Sequence, residues 1–287
     1  MKNSIRFSQN FLRSPALIRL LLAKTDIGPP DTIYDIGAGK GAVTALLAEI
    51  GHAVVAVEID PQLVTHLRQN TAHYTNVVVR EADFLSLPLP RTPYKVFANI
   101  PFNLSADILR KLTESPTPPT AAYLIVQEEF AKKIIPKAEG YNAQLAMTLG
   151  AEFETRILHR LRRTDFTPVP RVTSVLLAVT KRPQSLVVKN DLAMYKDFIA
   201  YTYNAHKPTV KAALSPLLST LEFDVAAKRL QIALDASPAQ LSLSQWVALF
   251  LVATQDRVKL GQLVGGHREL LAERHQKHVK LRRTRPN

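Results

Sequence analysis

From Thr32 to Lys181, short β-branched runs alternate with segments whose apolar residues recur every three or four positions. That rhythm predicts strands and helices wound into a mostly parallel sheet. The predicted strands are "TIYDIG", "AVVAVEID", "NVVVREAD", "KVFANI" and "AAYLIVQ", with "RILHRL" and "TSVLLAVTK" as a closing antiparallel pair. One helix starts at Ser14-Pro15, where Ser suits the N-cap and Pro the first turn. "AVTALLAEIG" is a second, closed by Gly51, and "PQLVTHLRQN" a third, entered at Pro61. The stretch "KVFANIPFNLSADILRKL" breaks a buried strand at Pro101 and restarts as a helix near Ser105.

After Arg182-Pro183 strand-like alternation stops, and four segments carry apolar residues at helical spacing: "LAMYKDFIAYTYN", "TVKAALSPLLS", "DVAAKRLQIAL" and "LSQWVALFLVAT". The expected organisation is an α/β domain over residues 1–183 and a small all-α domain over 184–264. A basic tail, extended or loosely helical, follows over 265–287. There are no repeats. No apolar run reaches the roughly 18–20 residues of a membrane span. The run Leu20-Leu21-Leu22-Ala23 is too short for a secretory signal, so a cytoplasmic protein is expected.

The chain has no cysteine, which excludes disulfides, thiolate metal sites, iron–sulfur clusters and a thiolate nucleophile. No metal site is expected. A net charge of +13 points to a polyanionic partner, because each cation set against a phosphate releases a counterion. The charge is concentrated: His267 to Asn287 holds seven Lys or Arg against two Glu, and "RILHRLRR" holds four Arg. Arg160, Arg162, Arg163, Lys207, Lys211, Arg282 and Arg283 are the candidate contacts to such a polyanion.

"DIGAGKGAV", Asp35 to Val43, joins the first sheet strand to a helix. Glycines at positions 37, 39 and 41 permit a tight turn and close approach of a ligand to a helix N-terminus. The spacing fits neither the phosphate loop nor the dinucleotide fingerprint. G-x-G-x-G is the spacing of S-adenosylmethionine (SAM) methyltransferases, although a purely structural turn is an alternative. Glu58, with Ile59 beside it, ends the next strand, where a carboxylate could take both ribose hydroxyls. Asp83 in "READFL" could accept from an adenine amino group. Singly each acid reads as a solvated strand-end carboxylate, but together with the glycine loop they point to a cofactor.

A methyl donor needs a nucleophile, and "NIPF" suggests which. The lone pair of an exocyclic adenine amine is delocalised into the ring. Two acceptors near its hydrogens would favour a tetrahedral nitrogen and aim that lone pair at the methyl group. Asn99 offers a side-chain carbonyl and Ile100 a backbone carbonyl, held by rigid Pro101. Phe102 offers a stacking face that also favours a cationic nitrogen. No strong base is required, since the methylated amine is acidic enough for water to deprotonate. Without a thiolate, C5 methylation of a pyrimidine is excluded, and the target base must leave its stack. Phe166 in "DFTPVPRVTSVL" reads equally as a second stacking ring or as a core aromatic.

"RFSQNFL", "DIGAGKG", "VEID", "EADFL", "NIPF" and "FTPVPRV" occur in the order and near the spacing of the rRNA adenine N6-dimethyltransferase family, which this chain resembles from about Arg6 to Arg182. "PYKVFANIPFNLSADILRKL" and "QEEFAKKI" are more similar to the Erm-type branch, which acts on 23S rRNA, than to the KsgA branch, which acts on small-subunit rRNA and typically reads N-L-P-Y. The resemblance implies a Rossmann-like class I SAM-dependent methyltransferase domain with a seven-stranded sheet. It implies methylation of an adenine in the peptidyl-transferase region before full ribosome assembly, resistance to macrolide, lincosamide and streptogramin B antibiotics, and a monomer. Carried over residue by residue, it places Asn10 and Leu12 at the SAM site with Gln9 adjacent, and Gly37, Gly39, Glu58, Ile59, Asp83 and Asn99 on the cofactor. Phe102 and Phe166 would sandwich the adenine. Asp35 departs from the Glu common in that branch. A KsgA-type enzyme and a catalytically lapsed rRNA-binding factor are the alternatives.

Overall fold

The computed structural model describes residues 10–271. The expected alternation is present as a seven-stranded sheet, with the strands numbered along the chain. These are β1 (Phe11–Leu12), β2 (Thr32–Ile36), β3 (Ala53–Glu58), β4 (Val77–Glu81), β5 (Lys95–Asn99), β6 (Ala121–Gln127), β7 (Phe153–Leu161), β8 (Phe166–Thr167) and β9 (Ser174–Lys181). The sheet order is β4-β3-β2-β5-β6-β9-β7, while β1 and β8 form a separate two-stranded pair. β4, β3, β2, β5 and β6 are mutually parallel, and β9 runs antiparallel to β6. β6, an interior strand between β5 and β9, is buried along nearly its whole length, as expected of a strand covered on both faces.

Helices α1 (Pro15–Leu22), α2 (Ala42–Ala48), α3 (Pro61–Thr71) and α4 (Ser105–Thr113) cover the sheet, and α5 (Glu128–Ile134) follows β6. Ser14 caps α1 and Asp60 caps α3, each just before the proline of the first turn. α2 ends before the expected stop at Gly51; Glu49 is its C-cap and the Gly51 N–H closes onto the Leu47 carbonyl. Ile18, Leu21, Leu47, Phe97, Ile125, Phe166 and Leu176 belong to the core of this unit.

Contacts divide the chain into two units: one up to Lys132 together with Glu154–Lys181, and one of Lys133–Phe153 together with the chain from Arg182. The boundary expected near Gln184 therefore misses an excursion. α6 (Gln144–Gly150) groups with the helical unit because Ala146, Met147 and the following Ala151 share a core with Tyr195, Phe198 and Trp246. The helical unit continues with α7 (Leu192–Asn204), α8 (Val210–Leu214), α9 (Thr220–Leu230), α10 (Leu243–Ala253) and α11 (Arg257–Val264), of which α11 had no clear sequence signal. Reciprocal capping boxes start α9 at Ser219/Glu222 and α10 at Ser242/Gln245. Arg257 grips Asp191 with two bonds of 2.7 and 2.9 Å. Among the described residues no helix is long and apolar enough to cross a membrane.

Candidate active site

β2 has β3 on one side and β5 on the other, so successive crossovers leave in opposite directions and open a crevice at the carboxyl ends of these strands. A cleft lies there, lined by Asn10, Phe11, Gly37, Asn99, Ile100, Pro101 and Phe102. The glycine loop and the Asn-Ile-Pro-Phe break, 62 positions apart in the chain from Gly37 to Asn99, are thus two walls of one cavity.

The glycine wall is set by backbone geometry. The N–H groups of Gly37 and Ala38 both donate to the Val57 carbonyl, at 2.8 and 3.1 Å, which fastens the loop to β3. Gly37 (φ +72°) and Gly39 (φ +58°) occupy the left-handed region. A Cβ at Gly39 would also come within 2.8 Å of the Phe11 ring. Glu58 is almost completely buried, and its carboxylate accepts from Gly39 N (2.9 Å), Ile59 N (2.8 Å) and Asp60 N (3.0 Å). The sequence expectation of two free oxygens for two ribose hydroxyls is therefore corrected. Oε1 already accepts two bonds, and only Oε2 has a lone pair to spare.

Beneath the loop, Asp35 is fully buried and accepts from the Thr44 hydroxyl at 2.7 Å, joining the end of β2 to α2. Burial pushes the Asp35 carboxyl up to about 7, and the nearby Glu58 charge acts in the same direction, against the lowering effect of the Thr44 hydrogen bond. Asp83 is exposed and its Oδ1 accepts from Leu85 N at 2.9 Å, closing a turn. That turn is held from α4 by Lys111, whose ammonium donates to the carbonyls of Leu85 and Leu87 and lies 5.3 Å from the Phe84 ring centroid. Ile59 is half exposed.

On the opposite wall, β5 ends at Asn99, and a 3₁₀ turn over Phe102–Leu104 leads into α4. The Pro101 carbonyl accepts from Leu104 N at 3.0 Å. Phe102 is partly exposed and lines the cleft. Asn99 Nδ2 donates to the backbone carbonyl of Asn10 at 2.6 Å. A carbonyl only accepts, so the nitrogen end of the amide must face Asn10, which leaves Oδ1 as the end available to a ligand.

Two further expectations are corrected. Phe166 is fully buried in the core, with Leu12 as its register partner across β1–β8, and presents no open face to a base. Leu12 packs on that same core and does not line the cleft. Alternation along a strand gives that position to Phe11, which the sequence reading passed over. Asn10 lines the cleft as expected; Gln9, Arg282 and Arg283 lie outside the described residues. Of the other candidate RNA contacts, Arg160 pairs with Glu128 at 3.2 Å, Arg162 with Asp165 at 3.4 Å and Lys211 with Asp224 at 2.6 Å. Arg163 donates to the Pro170 carbonyl, and Lys207 is exposed.

These residues fit SAM: a glycine-rich turn at a strand end whose Gly37 and Gly39 leave the backbone open to a ligand, a buried carboxylate with one lone pair to spare, and a half-exposed apolar residue beside it. The chain matches the family model "Ribosomal RNA adenine dimethylase" over residues 1–255. It is 36% identical over 199 residues to an rRNA adenine N-6-methyltransferase of Limosilactobacillus reuteri, covering 69% of this chain and 79% of that protein. It is 31% identical to the ribosomal RNA small subunit methyltransferase A of Synechococcus sp. (strain JA-2-3B'a(2-13)), covering 85% and 90%. Among solved structures it is similar to the 23S rRNA methyltransferase ErmE, with a TM-score of 0.76, 26% identity, and 86% and 100% of the two chains covered.

Proposed function

The chain belongs to the ribosomal RNA adenine dimethylase family, and from that premise we propose that its target is one adenine of 23S rRNA, mono- or dimethylated at N6. The methyl donor is SAM, which supplies an electrophilic methyl group on a sulfonium. The choice of 23S rRNA rests on Phe102 at the cleft, where the small-subunit branch typically places Tyr, and is supported by the likeness to ErmE over nearly the whole chain. The consequence proposed for the cell is loss of macrolide, lincosamide and streptogramin B binding at the modified ribosome. The protein acts as a monomer in the cytoplasm.

In this proposal each residue has a role. Asn99 Oδ1, the free end of the amide, accepts a hydrogen from the adenine amine, and the Ile100 carbonyl accepts the other. Phe102 stacks on the extruded base and favours positive charge on its nitrogen. Gly37 and Gly39 bring backbone up to the cofactor, Glu58 Oε2 takes one ribose hydroxyl, Ile59 covers the adenine ring and Asp83 accepts from its amino group. No side chain need act as a strong base. Exposed Lys207 and Arg162, with the basic tail, supply phosphate contacts.

Tritiated SAM with protein-free 23S rRNA should label a single adenine, and primer extension across that RNA should stop at it if two methyl groups are added. Label confined to 30S precursor particles would move the protein to the small-subunit branch, a reading that the Synechococcus relative favours. Binding of SAM without turnover on either RNA would leave a lapsed, RNA-binding protein.

A further inference from the structure

We infer that the β1–β8 pair is a positioning device for the Asn99 amide, and that Phe166 serves the reaction through this pair rather than by touching the base. The bonds form a continuous path. The ring of Phe166 is fully buried in the sheet core, and across the two-residue ladder it faces Leu12, which packs on the same core. The far end of β1 is fastened by Arg13, whose N–H donates to the Asp165 carbonyl at 3.0 Å and whose Nε donates to the Thr167 hydroxyl. The near end of β1 delivers the Asn10 carbonyl, 2.6 Å from Asn99 Nδ2.

A two-residue ladder has too few bonds to hold itself. Its position is set by the buried ring at one register pair and by the Arg13–Thr167 bond at the other. The Asn10 carbonyl in turn decides which end of the Asn99 amide faces the cleft. Were β1 to shift, the amide could rotate and present its NH2 to the adenine amine, donor against donor. Phe166, Arg13 and Thr167 are therefore positioning residues. The buried ring at Phe166 is used for its volume, and an aliphatic residue of similar size should replace it.

The inference rests on the role proposed for Asn99 and on adenine methylation, but not on which rRNA is modified. The test measures single-turnover methyl transfer in the full-length protein, on whichever rRNA the wild type labels. Phe166→Leu should keep the rate within about threefold, whereas Phe166→Ala and Thr167→Val should each lower it about tenfold. Thr167→Ser should restore the rate. Combined with Asn99→Ala, the effects of Phe166→Ala and Thr167→Val should shrink below about twofold, because residues acting through one group are not additive. If Phe166→Leu is as damaging as Phe166→Ala while Phe166→Tyr is active, the ring is a stacking face and the inference falls. It falls equally if Thr167→Val, a surface change that spares the core, multiplies fully with Asn99→Ala. A salt-sensitive loss confined to RNA KM in Arg13→Gln would make Arg13 a phosphate contact instead. Full activity in Asn99→Ala alone would refute the Asn99 assignment, a separate outcome.

Discussion

Replacing Glu58 by Gln tests the cofactor half of the site most directly. The carboxylate takes three backbone N–H groups, two on Oε1 and one on Oε2. A glutamine can keep its carbonyl oxygen on Ile59 and Asp60, which places its NH2 against Gly39 N, where the oxygen had been 2.9 Å away. Two donors then face each other, and a buried N–H is left unpaired at about 1–3 kcal/mol. The protein without cofactor should lose stability of that order. SAM should lose more than this strain alone, since the one oxygen open to a ribose hydroxyl becomes a donor and the negative charge is gone. A hydrogen bond to a charged acceptor is worth about 1.5–3 kcal/mol, so the Kd for SAM should rise roughly 10- to 150-fold. Calorimetric titration with SAM and urea unfolding read the two quantities separately. Unchanged SAM affinity, with stability lost as stated, would reduce Glu58 to a structural clip for the glycine loop.

Burial holds the Asp35 carboxyl at about 7 against an ordinary value of 3.8. Between those values the unfolded chain has released a proton that the folded chain keeps, so stability falls as pH rises from about 4 to 7, by on the order of 4 kcal/mol. Asp35→Asn does not titrate and should lack this descent in urea melts at pH 4.5 and 7.5; parallel pH curves for the two proteins would count against the burial argument. Asn99→Ala should reduce methyl transfer at least about a hundredfold with SAM affinity nearly intact, as separated by single-turnover assay and titration. Asn99→Asp should fail as well, because a carboxylate oxygen would then face the Asn10 carbonyl at the 2.6 Å position with no hydrogen between them. Truncation after Leu271 removes six Lys or Arg while keeping the bonds of Asp197 to Gly266 and Arg268. RNA affinity should drop and its dependence on log salt flatten, and an unchanged slope would exclude the tail from phosphate contact.

What was legible in the sequence divides along a physical line. Strand rhythm, capping residues and left-handed glycines are local, and each left its mark within a few positions: Ser14-Pro15 starts α1, Pro61 follows the cap of α3, and Gly37 and Gly39 have the positive φ their loop suggested. Asn99 and Phe102 were legible because the strand break around Pro101 has no structural need of an amide or a ring, and both line the cleft. The excursion of Lys133–Phe153 into the helical unit was not, because α6 has the same apolar spacing whichever core it joins.

The least legible feature was the meeting of two motifs more than 150 positions apart, where "NFL" and "FTP" pair over only two residues each. So short a ladder has no periodicity to read, and its burial pattern depends on which face meets the core. An aromatic beside two prolines is equally suited to a base or to an interior, and only the pairing decides. With Leu12 opposite Phe166 the ring must turn inward, which by alternation sends Phe11 to the cleft. The same pairing brings the Asn10 carbonyl to Asn99. One register choice thus accounts for the buried ring, the unexpected cleft residue and the oriented amide. A one-residue slip would reverse all three together, and so the conformation of β1 and the chemistry proposed for Asn99 stand or fall as a unit.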